Sequence, residues 1–220
     1  LLRGQCNDAY WHGVFGGLYT PHLRTALWQS LSEAESIADS LARRSREYAH
    51  AAKIDFDADG REEVYFTSDR YAALWKPSDG ATLCALECRT AKTNLINSLT
   101  RREEAYHARV KNVQQKNEAA VTSIHDQTRT KEEGLERWLL YDRWPRHSFR
   151  LLLFDSERNF EDYAASKLQE DAALAAGAYE VTSVSDAKVS FSFADSLAWQ
   201  AEKHVSLRRT PGGFEIVCDV

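Results

Sequence analysis

Val189-Ser190-Phe191-Ser192-Phe193 alternates apolar and polar residues at every step. A helix, which repeats every ~3.6 residues, cannot gather that pattern on one face, whereas a strand with period two does so automatically. The last third of the chain is therefore expected to form half-buried antiparallel strands. Upstream, Val64-Tyr65-Phe66-Thr67, Tyr71 to Trp75 and Thr82 to Cys88 are short, aromatic or β-branched runs. Turn chemistry separates them, as in Pro77-Ser78-Asp79-Gly80, where Pro fixes φ and Gly tolerates positive φ. These segments read as an antiparallel meander.

The period is different near the start. Leu23, Leu27, Leu31, Ala34, Ile37, Ala38 and Leu41 recur at three- and four-residue steps, the stripe of an amphipathic helix expected from Leu23 to about Ala52. Pro21 suits its start. Ser32, Glu35, Asp39, Arg43 and Arg46 fall on its other face. A further helical turn is expected over Asn97 to Ala108, a polar excursion over 109–133, and strand composition again from Trp138 to Phe154. The fold class is mainly β, an antiparallel β-sandwich preceded by a helical segment. Residues 1–53 form the helical part and 54–220 the β domain.

Charge narrows the function. The 28 basic and 33 acidic side chains give a net charge of −5, and they are interspersed. There is neither a basic stripe for nucleic acid nor a polybasic membrane anchor. The most apolar short run, Leu151 to Phe154, falls far short of the ~20 residues that span a bilayer. The four cysteines, Cys6, Cys84, Cys88 and Cys218, match no zinc or redox spacing. They are expected to be buried reduced thiols of a cytoplasmic protein. No methionine occurs, and the chain reads as a piece of a longer polypeptide.

The stretch Gln5-Cys6-Asn7-Asp8-Ala9-Tyr10-Trp11-His12-Gly13-Val14-Phe15-Gly16-Gly17-Leu18-Tyr19, running into Pro21-His22-Leu23-Arg24, is too rich in aromatics and glycine for a plain linker. It resembles the last conserved region of the glycoside hydrolase family 57 α-amylases and 4-α-glucanotransferases. Asn97 to His107, and Gly134-Leu135 through Tyr141-Asp142-Arg143-Trp144-Pro145-Arg146, resemble that family's C-terminal β-sandwich. The resemblance implies a lectin-like, galactose mutarotase-like supersandwich, here shorter than the family's and so lacking strands. It implies a parent enzyme that cleaves α-1,4-glucan with retention through two carboxylates. Those two lie on a barrel upstream, and no carboxylate pair here matches them, so the chain alone should be inactive. Its partners would be that missing barrel, the glucan, and another chain, a homo-oligomer included.

By position in the first motif the resemblance makes Asp8 and Trp11 sugar-binding residues, with His12 and Asn7 as neighbours. A carboxylate accepts from sugar hydroxyls, and an indole face stacks on a pyranose. Alternatively the aromatics only pack the end of a helical subdomain. Asp55-x-Asp57-x-Asp59-Gly60-x-x-Glu63 has the alternation of a calcium loop, with Gly60 at the sharp turn, yet Phe66 stands where an EF-hand needs Glu. It is either a structural calcium site or a solvated acidic turn. Among Trp28, Trp75, Trp138, Trp144 and Trp199 most are expected in the core. His107, His125, His147 and His204 lack ligand spacing and are expected to be surface or hydrogen-bonded residues. Arg101-Arg102-Glu103-Glu104 either bridges to the missing barrel or is a solvated face.

Three functions remain open. The chain is the cleft edge and scaffold of a glucan-active enzyme, a free-standing carbohydrate-binding module, or a sandwich that touches no sugar. The first predicts exposed apolar residues on the helix, and the second a self-sufficient groove with aromatic platforms.

Overall fold

A computed structural model describes residues 1–13, 15–42, 47–108, 134–154, 159–168, 170–195 and 199–220. The N-terminal stretch forms three short 3₁₀ turns, Leu2–Gln5, Asn7–Ala9 and Gly17–Tyr19, followed by helix α1, Pro21–Ala42. Strands β1 (Ala49–Ile54), β2 (Glu63–Ser68), β3 (Tyr71–Lys76), β4 (Thr82–Cys88) and β5 (Thr93–Asn94) form a first antiparallel sheet in that order. Short helices α2 (Phe160–Ala164) and α3 (Ala172–Ala176) precede β6 (Glu180–Ser185), β7 (Lys188–Ala194), β8 (Gln200–Thr210) and β9 (Gly213–Asp219), a second antiparallel meander.

The two sheets form a β-sandwich. Val64, Phe66, Ala73, Trp75 and Leu83 of the first join Val189, Phe191, Phe193, Val205 and Leu207 of the second in one buried cluster. Trp75 lies 5.9 Å from Phe191 and Tyr71 lies 5.0 Å from Phe214, ring centre to ring centre. Such aromatic pairs add to simple area burial. Lys203 of β8 is fully buried, and its Nζ donates to Gly80 O at 2.7 Å and Phe149 O at 2.8 Å. Burial pushes this amine down to about 8.

The sheets differ on their outer faces. In β7 buried and more exposed residues alternate, whereas β2 and β3 are buried almost throughout. The reason is α1, whose Trp28, Leu31, Ala34 and Ala38 share a cavity of about 560 Å³ with Tyr65 and Leu74 of the first sheet.

The described chain divides into two units, 1–98 with 147–156 and 169–220, and 99–146 with 157–168. The first holds α1 and both sheets. Within the second, Asp142 Oδ2 accepts from Arg101 N at 2.7 Å and from Arg146 Nε at 2.8 Å. Burial would raise the Asp142 carboxyl, but hydrogen bonds from Arg101 and Arg146 outweigh it and hold it at about 2.

Several expectations require correction. The helix does not run to Ala52: it is described to Ala42, residues 43–46 lie outside the described residues, and the alanine-rich run 49–54 pairs as β1 with Glu63–Ser68, so pairing overrides the helix preference of alanine. Residues 97–104 form no helix, since Arg101 gives its backbone N–H to Asp142 rather than to a preceding carbonyl. Between Trp138 and Phe154 the expected strand is reduced to one bridge, Leu83 to Ser148, followed at once by Phe149 at φ +61°. Of the five tryptophans considered for the core, Trp28, Trp75, Trp138, Trp144 and Trp199, only Trp75 is fully buried; Trp138 and Trp199 are exposed. The cysteines are free thiols, but Cys6 is exposed and the other three half-buried. Arg101 pairs with Asp142 of its own chain. The 109–133 excursion and His125 lie outside the described residues.

Candidate functional site

The N-terminal loop is built by close backbone approach. Gly17 sits at φ +51°, and a Cβ there would lie 2.2 Å from Trp11 O and 3.0 Å from Asp8 O, so only glycine fits. Leu18 N donates to Trp11 O at 3.0 Å, Tyr10 N to Asn7 O at 3.1 Å, and Thr20 Oγ1 to Gly17 O at 2.6 Å. These bonds fold residues 7–13 and 15–20 back on one another beside the first turn of α1. His12 meets Tyr19 edge-on at 5.5 Å.

Asn7, Asp8, Trp11 and His12 are all exposed on this loop, while Ala9 beneath them is buried. Trp11 shows 51% of its surface and Phe15 97%. A fixed backbone presenting one carboxylate, one amide, one imidazole and one indole face can hydrogen-bond and stack on a polyhydroxylated ring.

The acidic loop closes on itself and on β3. Asp55 accepts from Asp59 N at 3.0 Å and Gly60 N at 3.1 Å, Asp59 accepts from Arg61 N at 2.9 Å, and Glu63 accepts from Phe56 N at 2.9 Å. Gly60 takes φ +85°, as the turn requires. Oxygens of Asp55, Asp57 and Glu63 lie within 4.8 Å of one another, and Glu63 is buried. Lys76 Nζ also enters this cluster. It pairs with Asp57, lies 3.1 Å from Asp59 Oδ2 and 3.4 Å from Glu63 Oε1. Burial opposes the Lys76 charge, yet Asp57, Asp59 and Glu63 outweigh it and raise its pKa.

A third cluster escaped the sequence reading. Arg89, just past β4 and only 6% exposed, points Nη2 at Thr67 Oγ1 (2.8 Å), Asp39 Oδ2 (3.1 Å) and Glu35 Oε1 (3.4 Å). Tyr65 donates its hydroxyl to Glu35, and Tyr48 donates to Asp39 at 2.6 Å. Burial works against the Arg89 charge, but Glu35, Tyr48 and Glu87 hold the guanidinium above its ordinary range. Burial and the nearby Glu35 charge raise the Glu87 carboxyl. Ser32, Glu35 and Asp39 thus meet the first sheet, whereas Ile37 and Leu41 of the apolar stripe are 56% and 83% exposed. The signal was present as Glu35 and Asp39 one helical turn apart, and as Glu87 and Arg89 closing an otherwise apolar strand.

The fold is thus a β-sandwich carrying a helix and an aromatic loop. The alpha-amylase/4-alpha-glucanotransferase C-terminal family model matches residues 55–220, and the middle-domain model of the same enzymes matches 1–38. The chain belongs to the alpha-amylase/4-alpha-glucanotransferase family, as its C-terminal, non-catalytic part. It is 40% identical over 183 residues to alpha-amylase 1 of Dictyoglomus thermophilum, covering 82% of this chain and 26% of that protein. It is 32% identical over 217 residues to the 4-alpha-glucanotransferase of Thermococcus kodakarensis, covering 97% of this chain and 32% of that one. The crystal structure of 4-alpha-glucanotransferase from Thermococcus litoralis superposes with a TM-score of 0.68 at 26% identity, over 96% of this chain and 29% of that one. The chain thus spans about a quarter of the length of the curated relatives it matches. Among the described residues, no helix is long and apolar enough to cross a membrane.

Proposed function

We propose that this chain supplies one edge of the sugar-binding cleft, and the β-sandwich scaffold, of a glycoside hydrolase family 57 enzyme acting on α-1,4-glucans. The observation that carries the reading is the loop of residues 7–13 and 15–20, tied by backbone hydrogen bonds yet presenting Asp8 and Trp11 to solvent, in a chain of this family. Trp11 stacks on a glucose ring and Asp8 accepts from its hydroxyls, with Asn7 and His12 beside them. The retaining carboxylates, ~5 Å apart in such chemistry, belong to a barrel outside these residues. Residues 1–53 close the helical region behind that barrel and 54–220 form the sandwich. The exposed Ile37 and Leu41 on α1 support a partner surface there, and four free thiols suit a cytoplasmic enzyme.

The test is calorimetric titration of maltoheptaose into wild type and Trp11→Ala. Binding that weakens by about tenfold or more in the variant, the value of one good stacking contact, is expected. Equal binding by both proteins would refute the loop as the sugar site.

The second part of the reading is that Asp55, Asp57 and Glu63, with Asp59 beside them, hold a structural calcium ion. Hard carboxylate oxygens and a buried Glu63 whose Oε1 accepts no hydrogen bond among the described residues suit that ion. The Lys76 ammonium competes for the same oxygens. Calcium should therefore raise the melting temperature more in Lys76→Met than in wild type, and not at all in Asp57→Asn. No shift in any of the three would exclude calcium.

A further inference from the structure

The interface between α1 and the first sheet is poorly filled. A cavity of about 560 Å³ separates them, and Leu27 is the helix's one buried apolar side chain among the described residues. Dispersion contacts alone therefore fix neither the axial position nor the rotation of α1. Polar side chains span the gap: Tyr65 donates to Glu35, Lys92 Nζ lies 3.0 Å from Glu33 Oε1, and Arg89 reaches three residues of the helix. The Arg89 backbone N donates to Arg70 O at 2.9 Å, fixing it to the sheet, while its guanidinium reaches Glu35, Ser36 and Asp39. Partners at i and i+4 on one helix set both rotation and translation, because a planar fork accepts few geometries.

The sugar-binding loop rests on the same helix. A Cβ on Gly4 would lie 2.5 Å from Leu31 Cδ2, so the first turn lies directly on α1. Arg24, in the first turn of α1, donates Nη1 to Leu18 O and Nε to Asn97 Oδ1 at 2.9 Å. Leu18 in turn holds Trp11 through its own N–H. An unbroken path of contacts runs from the sheet through Arg89, α1 and Arg24 to the carbonyl of Trp11.

We propose that Arg89 is a positioning residue for the sugar-binding loop, holding α1 in register with the sheet so that Trp11 and Asp8 stand where a glucan meets them. This rests on the assignment of that loop to sugar. Arg89 touches no sugar itself and acts through Glu35 and Asp39.

The experiment uses the full chain labelled with 5-fluorotryptophan, its Trp11 fluorine resonance assigned from Trp11→Phe, and titrated with maltoheptaose. Arg89→Met should shift the free-state Trp11 resonance and weaken binding about tenfold, or ~1.4 kcal/mol. Arg89→Lys, which keeps the charge without the fork, should fall between. Val189→Ala, in the core of the second sheet, lowers stability without touching the path and should keep the wild-type Kd and resonance. If wild type binds, Trp11→Ala does not, and Arg89→Met is indistinguishable from wild type, the proposal is overturned while the sugar site stands. If wild type does not bind, the sugar assignment fails. The free-state Trp11 resonance alone then decides, a shift in Arg89→Met upholding the strut and none overturning it. Should Arg89→Met not fold, Asp39→Asn, which weakens one arm of the strut, is read by the same criteria.

Discussion

The two sheets share one core and differ in what covers their backs. The second sheet turns Ser190, Glu202 and His204 to solvent, with Ser190 Oγ 3.0 Å from His204 Nδ1 in an exposed pair. The first sheet turns Thr67, Glu87 and Arg89 into its interface with a helix, where each is buried. The same kinds of side chain therefore have different energetic weight. A charge on the solvated face costs nothing to keep, whereas one beneath α1 must find a partner or shift its pKa. The face that carries α1 is also the one that leads to the loop with Trp11, so the scaffold's polar cost falls beside the proposed sugar-binding loop.

If that contrast is right, substitutions should sort by face. Phe191→Ala, in the shared core, should be the most damaging, costing about 3–5 kcal/mol in chemical denaturation. Arg89→Met should follow at about 3 kcal/mol, since it leaves Glu35 and Asp39 without their buried counter-charge. Lys203→Met should cost about 1–3 kcal/mol by orphaning the Gly80 and Phe149 carbonyls. Because Lys203 has a folded pKa near 8, below its unfolded value, its charged form opposes folding. Its contribution therefore rises with pH from about 8 towards ~10.5 and is lost as pH falls through 8. The difference in melting temperature between wild type and Lys203→Met should widen over that window. Ser190→Ala should lie within about 0.5 kcal/mol of wild type. A large loss at Ser190, or none at Arg89, would erase the distinction between the faces.

Glu87→Gln sharpens the same point through its sign. The Glu87 carboxyl is raised in the fold, so its stabilising contribution is present at low pH and lost as pH climbs through the folded value. The amide, which has no charge to bury, should equal or exceed wild-type stability at pH 8 and lose that advantage near pH 4, checked by thermal melts at both.

The difference between the faces also explains what the sequence disclosed. The second sheet was legible because Val189, Phe191 and Phe193 face the core and Ser190 and Ser192 face water, which writes the pleat into the residue order. The strands of the first sheet were recognisable from β-branched and aromatic composition, but their second buried face was not, since Tyr65, Leu74 and Ala85 meet a helix rather than water. Strand β1 was hidden because Ala49, Ala51 and Ala52 favour helix locally and yield only to register with β2. In the candidate site, Asp8, Trp11 and their neighbours could be singled out from sequence because they lie in one continuous motif. Arg89 was not, because its meaning depends on Thr67, Glu35 and Asp39, between 22 and 54 residues away in sequence and joined only in the fold.

Hydrogen exchange read by mass spectrometry, with and without maltoheptaose, tests the account most directly. The loop and the face bearing α1 are predicted to respond, with slower exchange over residues 1–20 and no change across β6 to β9. Protection confined to the second sheet would instead describe a free-standing carbohydrate-binding module and would contradict the assignment of the sugar edge to the loop.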